Sequence, residues 1–440
     1  MRFEAAWKAR LNRAERRLPK EVAVAPAPSA PMTHRQPNAL WAVSMGLGAM
    51  LLQLFVAVVV FAPEGPLSYR YTTLIQHDSY WFANIIERGY DSILPPIIHK
   101  MMEVSNVAFF PAYPAIAGAL HHWAGLSVYT ALLVTAQAAA WGFWSYFFLF
   151  CERWNISPLA QVIGAIAVFA HPTAFFLVAG YSESLFMMAL LGFAYWSTTT
   201  GRAAWVLAAV HGFAMSATRI VGLPCAALPV VQAFFKGGWA GFRNVRGWIG
   251  QYAKAVSLML AATLGAVAFF IYCHVRWGRW DLYMLTQEAG WAVYPDYLAV
   301  FKLDSYRWLA PPLNDPTQWS QMTMTVGALF FVVVALCELV PALRRRTAWQ
   351  SRVGFYFAAV VTYFIAVSGV ASVNMESMLR YQFCAHALIV LALLHFLAQF
   401  RRPPARLRAI GLAVAVLLSA AGMGLQGWWI WNFTRGGWVA

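Results

Sequence analysis

Long apolar runs recur from residue 39 to residue 431, and most approach the roughly 20 residues that a bilayer-crossing helix needs. They fall at 39–61, 128–150, 158–178, 184–198, 203–235, 255–274, 322–342, 355–372, 380–400 and 410–431. The 203–235 run is too long for one ordinary span and carries Arg219 near its middle, so it is divided at Thr218-Arg219. That gives about eleven spans. The composition agrees: 61% of the 440 residues are hydrophobic and 11% charged, whereas a soluble domain is about half apolar and about a quarter charged. The chain reads as an all-α polytopic membrane protein.

Charge sets the expected orientation. The net charge of +15 is not a nucleic-acid footprint, because the basic residues sit beside apolar runs and not on one soluble face. They read as cytoplasmic loop residues. Residues 1–38 form a basic tail and linker, with a basic surface helix expected over 1–19 and a Pro/Ala-rich linker over 23–37. The first apolar run starts only after this tail and is too long for a signal peptide core. Residues 39–432 form the transmembrane domain, with a first outer loop at 62–127, a second large outer loop at 276–321, and a short outer tail at 433–440. The run 109–120 reads either as a span or as an element resting in the interface. If it does not cross, Arg153, Arg202, Lys236, Lys254, Arg344 to Arg346 and Arg401-Arg402 all face the cytoplasm. Asp78, Tyr181 to Glu183, Arg219 and Arg380 then share the outer face. The rival count makes 109–120 a span and leaves 203–235 undivided, which buries Arg219. The expected location is a bacterial inner membrane, with the N-terminus cytoplasmic.

The five cysteines are far apart and lie in or beside apolar runs, so neither a disulfide framework nor a zinc site is expected. No GxxxxGKS phosphate loop occurs, which removes support for ATP-driven transport.

Ionisable residues at membrane depth are few, and each carries weight. Asp78 opens the stretch Asp78-Ser79-Tyr80-Trp81-Phe82-Ala83-Asn84-Ile85-Ile86, whose apolar residues recur at helical spacing. This predicts a short amphipathic helix at the membrane surface. Asp78 is either its N-cap or a general base taking a proton from an acceptor hydroxyl. Glu183, in Gly180-Tyr181-Ser182-Glu183-Ser184, suits a helix start or positions an acceptor or His77. Arg219 is either a snorkelling side chain or a bidentate phosphate clamp. Arg380 is either a helix-end anchor or a partner for an anionic headgroup. His121-His122 point apart on a helix and make a poor metal pair. The Trp-rich stretch 277–291 either walls an acceptor site or belongs to an interfacial aromatic belt.

The order of these pieces is similar to the PIG-V family of GPI mannosyltransferases and its bacterial relatives, within the GT-C class of integral-membrane glycosyltransferases. The resemblance rests on Asp78 with Tyr80-Trp81, Asn106-Val107-Ala108-Phe109-Phe110-Pro111-Ala112-Tyr113-Pro114, Gly180-Tyr181-Ser182-Glu183-Ser184-Leu185-Phe186, Ala217-Thr218-Arg219 with Gly222, and Leu379-Arg380-Tyr381. The sequence departs from the family where His77 precedes Asp78 in place of an aromatic residue, and where Ile220-Val221 follows Arg219. The resemblance implies inverting transfer of a hexose, mannose first, from a polyprenyl-phosphate-linked donor to a lipid-linked or exported glycan on the outer face. Asp78 would be the base, and Arg219 and Arg380 would bind the donor phosphate. His77, Trp81, Tyr113, Tyr181, Glu183 and Tyr381 would contact the acceptor or the sugar. No metal site is assigned; a divalent ion is left open, since Asp78 and Glu183 alone are thin coordination. The rival readings are a lipid-glycan flippase or secondary transporter, whose repeated halves are not visible here, a non-catalytic member of a glycan-assembly complex, and transfer to protein Ser/Thr hydroxyls.

Overall fold

A computed structural model of the chain describes residues 38–92, 105–237, 245–340, 349–399 and 405–439. The expected tail helix 1–19, the linker 23–37 and the arginines at 344–346 and 401–402 lie outside the described residues. Among those described the secondary structure is helical, apart from one isolated bridge between Ser92 and Ser105. In chain order the helices are α1 (Ala39–Phe55, continuing as a π-helical turn Val56–Phe61), α2 (Leu67–Thr72), α3 (Asp78–Arg88), α4 (Ala112–Ala124), α5 (Val128–Arg153) and α6 (Pro158–Phe169). Next come α7 (Glu183–Ser197), α8 (Arg202–Thr218), α9 (Gly222–Cys225), α10 (Leu228–Gly237) and α11 (Val245–Trp277). The last are α12 (Leu282–Trp291), α13 (Pro316–Leu339), α14 (Val353–Val370), α15 (Met378–Ala398) and α16 (Ala405–Phe433).

Seven of these, α1, α5, α11 and α13 to α16, are long and apolar enough to cross a membrane. The other four segments read as spans fold as the shorter α6, α7, α8 and the α9–α10 pair. The reason is visible at their ends. The run 158–178 stops as α-helix at Phe169 and continues through His171-Pro172, a short 3-10 turn at Ala174–Leu177 and a bend to the start of α7. The run 203–235 breaks at Arg219, whose backbone is extended (φ −152°, ψ 144°). The division at Thr218-Arg219 therefore stands, and the reading that leaves Arg219 inside one undivided helix does not. The 109–120 run becomes α4, whose 13 residues reach about 20 Å, short of a hydrocarbon core of about 30 Å.

Irregular backbone at membrane depth survives only where protein supplies its hydrogen bonds. Here Phe175 to Ala179 are all buried, and three glutamines from apolar helices donate to carbonyls along the stretch. Gln53 Nε2 donates to Ala174 O (3.2 Å), Gln137 Nε2 to Val178 O (3.4 Å), and Gln426 Nε2 to both Phe169 O and His171 O (2.8 Å each). Gly180 completes the path. Its NH donates to Leu74 O, and a Cβ there would stand 2.5 Å from Ile75 Cδ1 and 2.9 Å from Ser79 Oγ. A larger residue here would have to push the Ile75 and Ser79 side chains aside to keep the 174–182 segment this close to the start of α3.

α15 is the most enclosed of the seven long helices and carries Arg380 in its first turn. At its other end His395 meets Arg352 (3.1 Å), which is fully buried and pairs with Glu338 (2.5 Å). That second charge pair ties the ends of α13, α14 and α15 together, away from Arg380.

Candidate active site

The expected surface helix is α3, with Trp81, Phe82, Ala83 and Ile85 buried. The Asn106-to-Pro114 motif braces it. Asn106 Nδ2 donates to Asn84 Oδ1 (2.8 Å) and to Gly89 O (2.9 Å), and its Oδ1 accepts from Asp91 NH (2.9 Å). The last turn of α3 is thereby closed by a side chain. Phe109 packs on both Trp81 and Phe82, and Tyr90 OH donates to Phe109 O (2.7 Å). At the other end, Ser79 Oγ donates to Gly180 O (2.9 Å).

Asp78 is the first residue of α3 and not its N-cap. That position belongs to His77, which makes no side-chain cap bond. The Asp78 carboxylate instead accepts from Arg380 Nη1 at 2.7 Å, across 302 positions of sequence. Arg380 Nε stands 3.3 Å from Glu183 Oε1, and the same oxygen accepts from Arg219 Nη1 at 2.5 Å. The four residues form an alternating row: Asp78, Arg380, Glu183, Arg219. Its middle is closed and its ends are open. The Arg380 and Glu183 side chains are 5% and 8% exposed, while Asp78 and Arg219 are each 22% exposed. Glu183 Oε2 is buried and finds no hydrogen-bond donor among the described residues.

Aromatic rings hold the guanidinium groups in place. Tyr381 lies under both, 5.0 Å from Arg219 and 5.1 Å from Arg380, and its hydroxyl accepts from Arg380 Nη2 (3.3 Å). Tyr181 and Phe176 cover the rest of Arg380, at 5.2 and 5.5 Å. Such stacking favours arginine over lysine. Gly222 makes the reversal after Arg219 possible: a Cβ there would stand 2.5 Å from Met215 O and 2.6 Å from Ser216 Cα.

Three residues expected to touch a sugar or acceptor are engaged elsewhere. Tyr113 is fully buried and its hydroxyl donates to Leu132 O (2.8 Å). Trp81 is covered by Phe109 and Trp291. That contact also shows where the Trp-rich stretch goes: Trp291 of α12 packs on α3. His77 does not meet Glu183. Its Nε2 lies 3.2 Å from Gly437 O and its ring meets Trp438 edge-on. Its φ of 45° is costly for a non-glycine residue, and such strain persists only where the surroundings impose it. The chain after α16 thus holds the residue that precedes Asp78.

Sequence reasoning missed Tyr283. It is buried on α12, within electrostatic reach of Tyr381 and Arg219, and its phenol pKa is pushed up, chiefly by burial. Its ring packs edge-on against Phe110 (5.1 Å) in an apolar cluster beside the site. Nothing in the sequence around Tyr283 marks it, because α12 reaches the site only through the tertiary fold. Among the described residues no group of three or more His, Cys, Asp and Glu stands close enough to hold a metal ion. The arrangement as a whole presents a reachable carboxylate at one end, a reachable cation at the other, and a buried ion pair between them.

No family model matches the chain, and no curated protein matches it. Among solved structures it is similar to ArnT from Cupriavidus metallidurans bound to undecaprenyl phosphate, at 14% identity over 91% of this chain and 76% of that one, with a TM-score of 0.47. It is also similar to the archaeal oligosaccharyltransferase AglB from Archaeoglobus fulgidus in complex with an inhibitory peptide and a dolichol-phosphate. There the identity is 14% over 89% of this chain and 56% of that one, with a TM-score of 0.45.

Proposed function

We propose that the chain is an integral-membrane glycosyltransferase of the GT-C type that moves a hexose, mannose first among candidates, from a polyprenyl-phosphate-linked donor to a hydroxyl of a lipid-linked or exported glycan. The observation that carries this reading is the alternating row with a reachable carboxylate at one end and a reachable guanidinium at the other. Single displacement at an anomeric carbon needs that separation. A base takes the acceptor proton on one side, and a leaving phosphate departs on the other.

Asp78 takes the proton as the acceptor oxygen bonds to the anomeric carbon. The bond from that carbon to the phosphate oxygen breaks, and its electron pair leaves on the phosphate. The donor phosphodiester carries one negative charge and the released monoester carries up to two, while Asp78 loses one. Negative charge therefore moves from the Asp78 end of the row to the Arg219 end. Arg219 receives the phosphate, and Arg380 keeps a positive charge between the two, so its field follows the shift without reorganisation. Glu183 holds both guanidinium groups in place. Tyr381 and Tyr181 keep them oriented and line the approach. The site works on the outer face of a cytoplasmic membrane.

The test is transfer by the full chain in vesicles, with radiolabelled polyprenyl-phosphate mannose and lipids of its own host as acceptors. Label moving to an acceptor supports the reading. No transfer with mannose or with any other polyprenyl-phosphate hexose would overturn it in favour of a flippase or a scaffold.

A further inference from the structure

The segment from Tyr294 to Leu313, between α12 and α13, is no span and seats only Ala299, Val300 and Tyr306 on the core, yet it exposes a row of large apolar side chains. Leu298, Phe301, Leu303, Trp308, Leu309 and Leu313 are all more than half exposed. So many large apolar side chains exposed together outside the spans mark an interaction face. What covers it follows from where the segment is tied.

Its start is fixed to the end of α14 nearest Arg380: Asp296 NH donates to Ser368 O (2.8 Å) and Tyr294 NH to Ser372 Oγ (2.9 Å). From there it turns back along the flank of the bundle. Tyr297 stacks on Phe364, which lies inside the membrane-length helix and about two turns from its end. Tyr306 OH donates to Val300 O (2.6 Å), closing the segment on itself, and both residues pack on the buried core. Its far end is held by two indoles: Trp319 Nε1 of α13 donates to Pro312 O, and Trp428 Nε1 of α16 to Leu313 O (3.0 Å each). Trp428 stacks on Trp431, and Arg435 follows at the same helix end, the composition of a membrane–water boundary.

We infer that residues 294–313 form an interfacial anchor that lies in the bilayer at the Arg380 end of the helices, with the Leu298-to-Leu309 face among the lipids. The inference rests on the spans and these contacts, not on the reaction proposed above. Attachment is apolar and not electrostatic. Lys302 pairs with Asp296, and Asp304 offsets Arg307, so the segment carries no net charge to draw anionic headgroups.

Single cysteines at Leu303→Cys and Leu309→Cys test this in the full chain, labelled with an environment-sensitive fluorophore. A Cys337→Ala background is used, since the other four cysteines are buried. The protein is placed in vesicles of phosphatidylethanolamine, with or without phosphatidylglycerol. Both labels are expected to show blue-shifted emission, to lose emission to lipids carrying a nitroxide near the glycerol, and to ignore aqueous iodide, equally in both lipid mixtures. Iodide quenching without lipid quenching at either position would overturn the anchor and leave the face free for a protein or glycan partner. Quenching that requires phosphatidylglycerol would overturn its apolar basis.

Discussion

Glu183→Gln separates charge from shape at the centre of the row. Glutamine keeps the outline and one acceptor oxygen but leaves Arg380 and Arg219 facing each other with Asp78 as their single carboxylate. Removing one partner of a buried pair costs about 3–5 kcal/mol, because the other charge stays buried. Arg219 is 22% exposed, so water screens part of the penalty, and the lower end of that range, about 3 kcal/mol, is the expected loss of stability. The assay is the temperature at which the purified chain loses its monodisperse peak, compared with wild type. The control is Glu183→Gln with Arg219→Gln, which removes the orphaned cation as well. It is expected to recover part of the loss, since contacting charges are not additive. A Glu183→Gln variant as stable as wild type would refute the reasoning. A double variant no more stable than the single one would refute it equally.

Arg380→Lys keeps a cation but not the fork that reaches Asp78, Glu183 and Tyr381 together; transfer is expected to fall by about 10²-fold or more, as for loss of one oriented donor. Gly180→Ala drives a methyl into Ile75 and Ser79 and is expected to cost about 1–3 kcal/mol of stability, with lower transfer because the start of α3 is displaced. Gln426→Leu strips the side-chain donor from Phe169 O, while His171 O keeps the Ala174 NH, and is expected to cost about 1–3 kcal/mol for the one carbonyl left unpaired, read as a lower thermal midpoint.

Much of this architecture is legible in the sequence because its signals are local. Apolar length gives seven of the eleven segments read as spans, the arginine inside a long apolar run gives the break at Arg219, and helical spacing gives α3. What the sequence does not show is pairing across distance. Asp78 meets Arg380 across 302 positions, and no local rule distinguishes that partner from the N-cap role, which the structure assigns to His77. Tyr113 and Trp81 look like sugar contacts because aromatic residues serve both packing and stacking; only their neighbours decide between the two. Glutamines within the apolar runs are a further signal. Gln53, Gln137 and Gln426 are costly in lipid, and each donates to a carbonyl in the 169–178 stretch where the helix has ended.

The central claim is that Asp78 takes the acceptor proton, and Asp78→Asn tests it most directly. Asparagine retains an acceptor oxygen for Arg380, so the row can close without a base. In the vesicle transfer assay, with the thermal midpoint as a check on folding, transfer is expected to drop by about 10²–10⁴-fold while the protein stays folded. Transfer equal to wild type by the folded variant would contradict the assignment.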